Sequence, residues 1–135
     1  MSIIPDSHAD ILESMAMWHV ATVGPSGEPQ SSPVWIGWDG THVMFSNLTT
    51  RQKYRNLTAE PQVALSATDP ANPYRYLEVR GQVVRIDADP DGVFIDSMAK
   101  KYQGKDRFEG HRAPDSRCTI FIEPTHATTM GGAPD

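Results

Sequence analysis

Hydrophobic positions along the chain recur mostly at a period of two, broken by three short stretches with helical spacing. Ile11, Leu12 and Met15 sit at helical intervals behind Ser7, a plausible cap, so residues 8–16 read as a short amphipathic helix. Residues 18–24, WHVATVG, are rich in β-branched and aromatic types and read as a strand. Pro25-Ser26-Gly27-Glu28 supplies a turn, and residues 29–38 resume as a strand. Pro33 removes one ladder donor there, which places that strand at an edge or a bulge. Asp39-Gly40 is a hairpin turn, with a strand at 41–46 behind it. Thr49 or Thr50 is positioned to cap a helix that Pro61 ends.

Strands are expected at 62–68 and 75–87, separated by the loop DPANPY, with Gly81 marking a bulge in the second. Asp89 or Asp91 opens a third helix running to about Tyr102. A polar loop spans 103–115. The last clear strand is 117–123, with room for an extension past Pro124. Tight turns between successive strands imply antiparallel pairing. Six strands with a few short helices predict a mainly β, antiparallel split barrel as a single domain over residues 1–130, with 131–135 a loose tail.

Composition narrows the function. The chain has 135 residues, a formal charge of -5 and a pI near 5.4. A general nucleic-acid binder should be basic, so no nucleic-acid partner is expected. No apolar run approaches the roughly 20 residues of a membrane span, so no membrane partner is expected either. The N-terminal stretch is acidic rather than basic and does not read as a secretory signal. The single cysteine, Cys118, excludes an intrachain disulfide and fits the cytoplasm. It sits in an apolar strand and reads as a buried thiol.

Several chemical signals fail on inspection. Asp87 to Gly92 imitates the opening of an EF-hand loop. Pro90 interrupts it, however, and Met98 stands where the bidentate glutamate belongs. The five histidines show no ligand spacing, so no metal site is expected. No G-x-G-x-x-G or Walker sequence occurs.

One corner does carry chemistry. Ser46 ends a strand, Thr49 and Thr50 add hydroxyls, and a following helix start offers free N–H groups to an anion. Arg51 can grip phosphate bidentately and Lys53 adds a point charge. A merely solvated helix face is the competing reading. Trp35 and Trp38, three apart on one expected strand, should face opposite sides, each either core or near a ring. Tyr76, Glu78 and Arg80 share a strand face. A second basic group, Lys100, Lys101, Lys105, Arg107 and Arg112, is either another anion site or a solvated helix end.

Residues 31–35 (SSPVW), 44–57 (MFSNLTTRQKYRNL), 76–81 (YLEVRG), 100–104 (KKYQG) and 120–129 (IFIEPTHATT) together resemble the pyridoxamine 5′-phosphate oxidase-like split-barrel superfamily. The likeness is to its small actinobacterial flavin/deazaflavin oxidoreductases and runs from about Ile11 to Thr129. It implies a homodimer with two cofactors, flavin mononucleotide (FMN) or coenzyme F420, in interface grooves. On the matching segments, Pro33, Val34 and Trp35 resemble the strand along the isoalloxazine ring. Ser46, Thr50, Arg51 and Lys53 resemble the phosphate corner, and the Tyr76–Arg80 face can complete the partner's groove.

The resemblance implies an F420H2-dependent reductase of a small unsaturated or conjugated acceptor. The alternatives are an FMN oxidoreductase or a non-catalytic carrier of F420, flavin or haem. F420 is favoured over FMN because its phosphate and oligoglutamate tail need more positive charge, which the second basic group can supply. Tyr102, His111 and Arg112 are the candidates for proton delivery. The Met130-Gly131-Gly132 ending departs from relatives that close with tryptophan, and the loop 105–115 is expected to set substrate choice.

Overall fold

A computed structural model describes residues 3–110 and 116–133. Ten elements follow in order: α1 (Ala9–Glu13), β1 (Trp18–Val23), β2 (Pro29–Val34), β3 (Gly37–Trp38), β4 (Val43–Leu48), α2 (Gln52–Ala59), β5 (Gln62–Asp69), β6 (Asn72–Ala88), α3 (Val93–Gln103) and β7 (Arg117–Met130). The strands form one antiparallel sheet in the order β2-β1-β5-β6-β7-β4-β3. The sheet has seven strands rather than six because the expected strand 29–38 is two. It breaks at Trp35-Ile36, so β2 and β3 end up as the opposite, unpaired edges of the sheet, and the barrel stays open between them. Pro33 therefore lies in an edge strand, where its missing N–H costs nothing.

Inward positions alternate as a half-buried sheet requires. Trp18 and Val20 of β1, Val43 and Phe45 of β4, Leu65 of β5, Leu77 and Val79 of β6, and Ile120 and Ile122 of β7 are all fully or nearly fully buried in one core. Ile11 and Leu12 of α1 and Leu57 of α2 cap it. No helix among the described residues is long and apolar enough to cross a membrane.

Local details differ from expectation for identifiable reasons. DPANPY is no loop: β5 and β6 run to a two-residue turn at Pro70-Ala71, with Asp69 paired to Asn72. β7 continues through Pro124 to Met130 as one strand, because β6 is long enough to pair with it over its whole length. α1 is shorter than 8–16. Its N-cap is His8, and the Ser7 hydroxyl donates to His8 Nδ1 (2.8 Å) instead of capping the helix. Arg51, not Thr49 or Thr50, is the N-cap of α2, and no side chain caps it. At α3 the N-cap is Gly92, and the first N–H groups are taken up by Asp89, three residues earlier. Its carboxylate accepts from Val93 N (2.8 Å) and Phe94 N (3.1 Å), which gives the false EF-hand sequence a structural role.

Gly81 sits at a register shift between β6 and β7, as the bulge reading requires. A Cβ there would lie 2.2 Å from the Glu123 carbonyl oxygen, which is backbone and cannot swing away. Gly81→Ala is expected to destabilise the fold by about 3 kcal/mol, read as a lower denaturant midpoint at unchanged slope.

Candidate functional site

The open side of the sheet brings together three distant segments. Pro33 and Val34 come from β2, Trp35 from the β2–β3 link, Ser46 from β4, and Arg51 and Lys53 from the start of α2. All six line one groove of about 410 Å³. Met17, Asn47, Leu48, Ile95, Phe108 and Arg117 complete its wall.

α2 is held in place by polar packing. The buried Asn56 amide donates to Thr22 Oγ1 (3.0 Å) and Gln30 Oε1 (2.9 Å), pinning the helix to β1 and β2. One turn earlier, Lys53 reaches across to Ser32 Oγ at 2.8 Å. Burial, with help from the Arg51 charge, pulls the Lys53 ammonium below the usual lysine range. Among the described residues neither Arg51 nor Lys53 is ion-paired with a carboxylate. Arg117 adds a third cation. Its Nη1 donates to Ser46 Oγ (3.0 Å), and its guanidinium lies 5.3 Å from the Phe108 ring centroid. Among the described residues no carboxylate lines the groove. Three cations gathered at one groove, in a chain of net charge -5, suit a polyanionic ligand.

The opposite wall is aromatic. Trp35 stacks on Tyr102 at 5.3 Å between ring centroids and meets Phe108 edge-on at 5.9 Å. The Phe108 main-chain N–H donates to Asp96 Oδ1 (2.8 Å), which ties that ring to α3. Trp35 therefore stands at the groove, whereas Trp38 packs against the core. The two part company because the strand breaks between them, not because one strand turns them to opposite faces.

Other expected residues lie elsewhere. Thr50 does not line the groove; its carbonyl accepts from Arg55 Nη1 (2.9 Å). Tyr76 and Arg80 are on the outer face of β6. Tyr76 borders a depression shared with His19, Glu78 and Thr128, and Arg80 pairs with Glu78 (2.9 Å). Met17 lines both this depression and the groove. The Tyr102 hydroxyl is engaged on both sides, donating to Ala16 O (2.9 Å) and accepting from Ile36 N (3.1 Å), and burial raises its pKa. His111 and Arg112 lie outside the described residues.

The second basic group is smaller than its sequence suggests. Lys101 Nζ donates to Leu12 O and Ile36 O, both at 2.8 Å, and burial lowers its pKa to about 8. Lys100 pairs with Asp106 and Lys105 with Glu109. Cys118 is buried, and burial pushes its thiol up.

Arg117, Phe108, Ile95 and Met17 escaped the sequence reading. Arg117 stands 71 residues from Ser46. Nothing local marks it, and only the β4–β7 pairing that sets Leu48 against Arg117 reveals it.

An unclosed antiparallel sheet with short helices and a cationic, aromatic-walled groove at its split defines a split-barrel protein built to hold a flat anionic ligand. The chain belongs to the pyridoxamine 5′-phosphate oxidase family, whose pattern it matches over residues 4–131. Among solved structures it is 42% identical to an F420 reductase, with a TM-score of 0.86, covering 93% of this chain and 98% of that one. It shares its fold with a conserved hypothetical protein of Mycobacterium tuberculosis (20% identity, TM-score 0.73, covering 96% and 88%). Group A Streptococcus HupZ has the same fold (18% identity, TM-score 0.67, covering 98% of each chain). No curated protein matches it.

Proposed function

We propose that the protein is an oxidoreductase that uses reduced coenzyme F420 to reduce a small unsaturated or conjugated acceptor. The observation that carries this is the groove itself. Ser46, Arg51 and Lys53 meet there with Arg117 as a cationic corner beside the Pro33–Trp35 segment. The 42% identity to an F420 reductase supports the choice of cofactor. When bound, the reduced deazaflavin supplies the hydride.

The chain's own residues bind, orient and shield. Arg51, Lys53 and Arg117 hold the phosphate end. The Pro33–Trp35 segment lies along the ring. The Trp35–Tyr102–Phe108 wall excludes water and offers a flat surface to the acceptor. With the Tyr102 hydroxyl tied to main chain, the proton that completes the reduction comes from solvent.

FMN is the second reading, favoured by one finding. Lys100, Lys101 and Lys105, which would have held a long acidic tail, are engaged by carbonyls or carboxylates.

The functional unit is proposed to be a cytoplasmic homodimer in which the Tyr76–Arg80 face completes the partner's groove. Exposed Met17 and Val23 on that side of the sheet favour burial against a second copy. Sedimentation at micromolar concentration should show a dimer, and a monomer there would remove the shared groove. Turnover separates an enzyme from a carrier. Anaerobic protein with F420H2 and a panel of enoates and quinones should return the oxidised deazaflavin absorbance only when an acceptor is present. Tight binding with no turnover across the panel would favour a carrier.

A further inference from the structure

The sheet is interrupted at one wall of the groove. β2 ends at Val34 and β3 begins at Gly37, so Trp35 and Ile36 have no strand partner. Ile36 is fully buried, and its main-chain N–H and C=O must still be matched. Two consecutive side chains of α3 match them. Ile36 N donates to the Tyr102 hydroxyl (3.1 Å), and Lys101 Nζ donates to Ile36 O (2.8 Å). The same two groups reach the α1 segment, Lys101 at Leu12 O (2.8 Å) and Tyr102 at Ala16 O (2.9 Å). The Tyr102 ring also lies flat on Trp35, with 10° between the planes. Pro33, Val34 and Trp35 line the groove, whereas Lys101 and Tyr102 do not. Burying an ammonium group to hold two carbonyls is costly, and burial draws the Lys101 pKa down to about 8. Packing alone would be met by an apolar residue there.

We infer that Lys101 and Tyr102 are positioning residues, which fix the Trp35–Ile36 link and thereby the Pro33–Trp35 segment against which the cofactor's ring system lies. This rests on the groove being the cofactor site. The pair acts on one end of the ligand only. Arg51 and Lys53, which hold the phosphate end, are placed by α2 and its Asn56 anchor, and Arg117 by the β4–β7 pairing. None of these depends on Ile36. Loosening the link therefore misplaces the ring contact and leaves the anion grip as it was. A misplacement of about 1 Å is enough to cost an oriented reaction about 100-fold.

The test compares a ring-bearing ligand with a ringless one. Tyr102→Phe keeps the stack on Trp35 and removes the hydroxyl, and its affinity for F420 and FMN should fall about tenfold. Inorganic phosphate, read by its competition against FMN, should bind within about twofold of the wild type. Lys101→Met keeps the apolar stem, removes the donor and should show the same split; it carries the test if Tyr102→Phe does not fold. Unchanged cofactor affinity in the folded variants would overturn the inference and leave the pair a purely structural tie. An equal loss for cofactor and phosphate would overturn it too, since the pair would then support the whole groove. Arg51→Ala, measured alongside, tells the two ideas apart. If it weakens cofactor binding and the other two variants do not, only the positioning role fails; if none of the three matters, the groove is not the site.

Discussion

Replacing Arg51 and Lys53 together with alanine is expected to weaken cofactor binding at least about 100-fold while leaving the fold intact. Each hydrogen bond to a charged group contributes about 1.5–3 kcal/mol, and each factor of ten corresponds to about 1.4 kcal/mol. Arg51 is exposed and Lys53 half-buried, and neither belongs to the core cluster, so thermal unfolding should move little. Lys53 donates only to the Ser32 hydroxyl, a contact that water can replace. The loss should shrink at high salt, because the attraction is between charges. Arg85→Ala is the matching control. That guanidinium is exposed on β6, paired with Asp87 and over Phe121, and does not line the groove. Its removal should leave affinity unchanged. A double variant that binds as tightly as the wild type would reduce the cationic corner to a solvated helix face.

The second large effect concerns the fold's closure. Arg75 is 3% exposed, and all five of its N–H donors are used. It donates to both oxygens of Asp10 (2.7 and 2.8 Å), to Asp69 (2.9 Å), to Gly132 O (2.7 Å) and to Ser7 O. One side chain thus ties the α1 segment, the β5–β6 turn and the end of β7 together. His8 reinforces the clasp, its Nε2 donating to Met130 O at 3.0 Å. Arg75→Ala leaves two carboxylates and two carbonyls without their donor and should lower the melting temperature by roughly 10 °C or more.

The same clasp predicts an acid limb. Arg75 holds the Asp10 carboxyl below its ordinary range, so the contribution is complete above about pH 4 and is lost as pH falls further. In Arg75→Ala that part of the pH dependence should disappear. Equal acid sensitivity in both proteins would show that the pair contributes nothing.

Much of this was legible in the sequence wherever the signal was local. Strand alternation, the Gly81 bulge, the edge position implied by Pro33 and the gathering of Ser46, Arg51 and Lys53 at one groove all follow from short stretches of chain. What stayed hidden depended on distant partners. Arg75 looks like one more strand cation until Asp10 and Gly132 arrive from both ends of the chain. Lys101 reads as a surface charge, yet α1 and residue 36 close over it. Trp35 and Trp38 read as one strand because the β-branched and aromatic run Val34-Trp35-Ile36 passes straight through the break, and a single Gly37 after it is compatible with a continuous strand. Arg117 and Phe108 enter the groove only because β7 pairs with β4 and α3 packs beside it.

On the proposed function, this groove holds a deazaflavin cofactor. Titration of the purified apo protein with F420 and, in parallel, with FMN, followed by fluorescence, tests it most directly. Saturable binding that is tighter for F420 and is weakened in Lys53→Ala is the predicted result. Binding of neither cofactor, or F420 binding unaffected by Lys53→Ala, would contradict it.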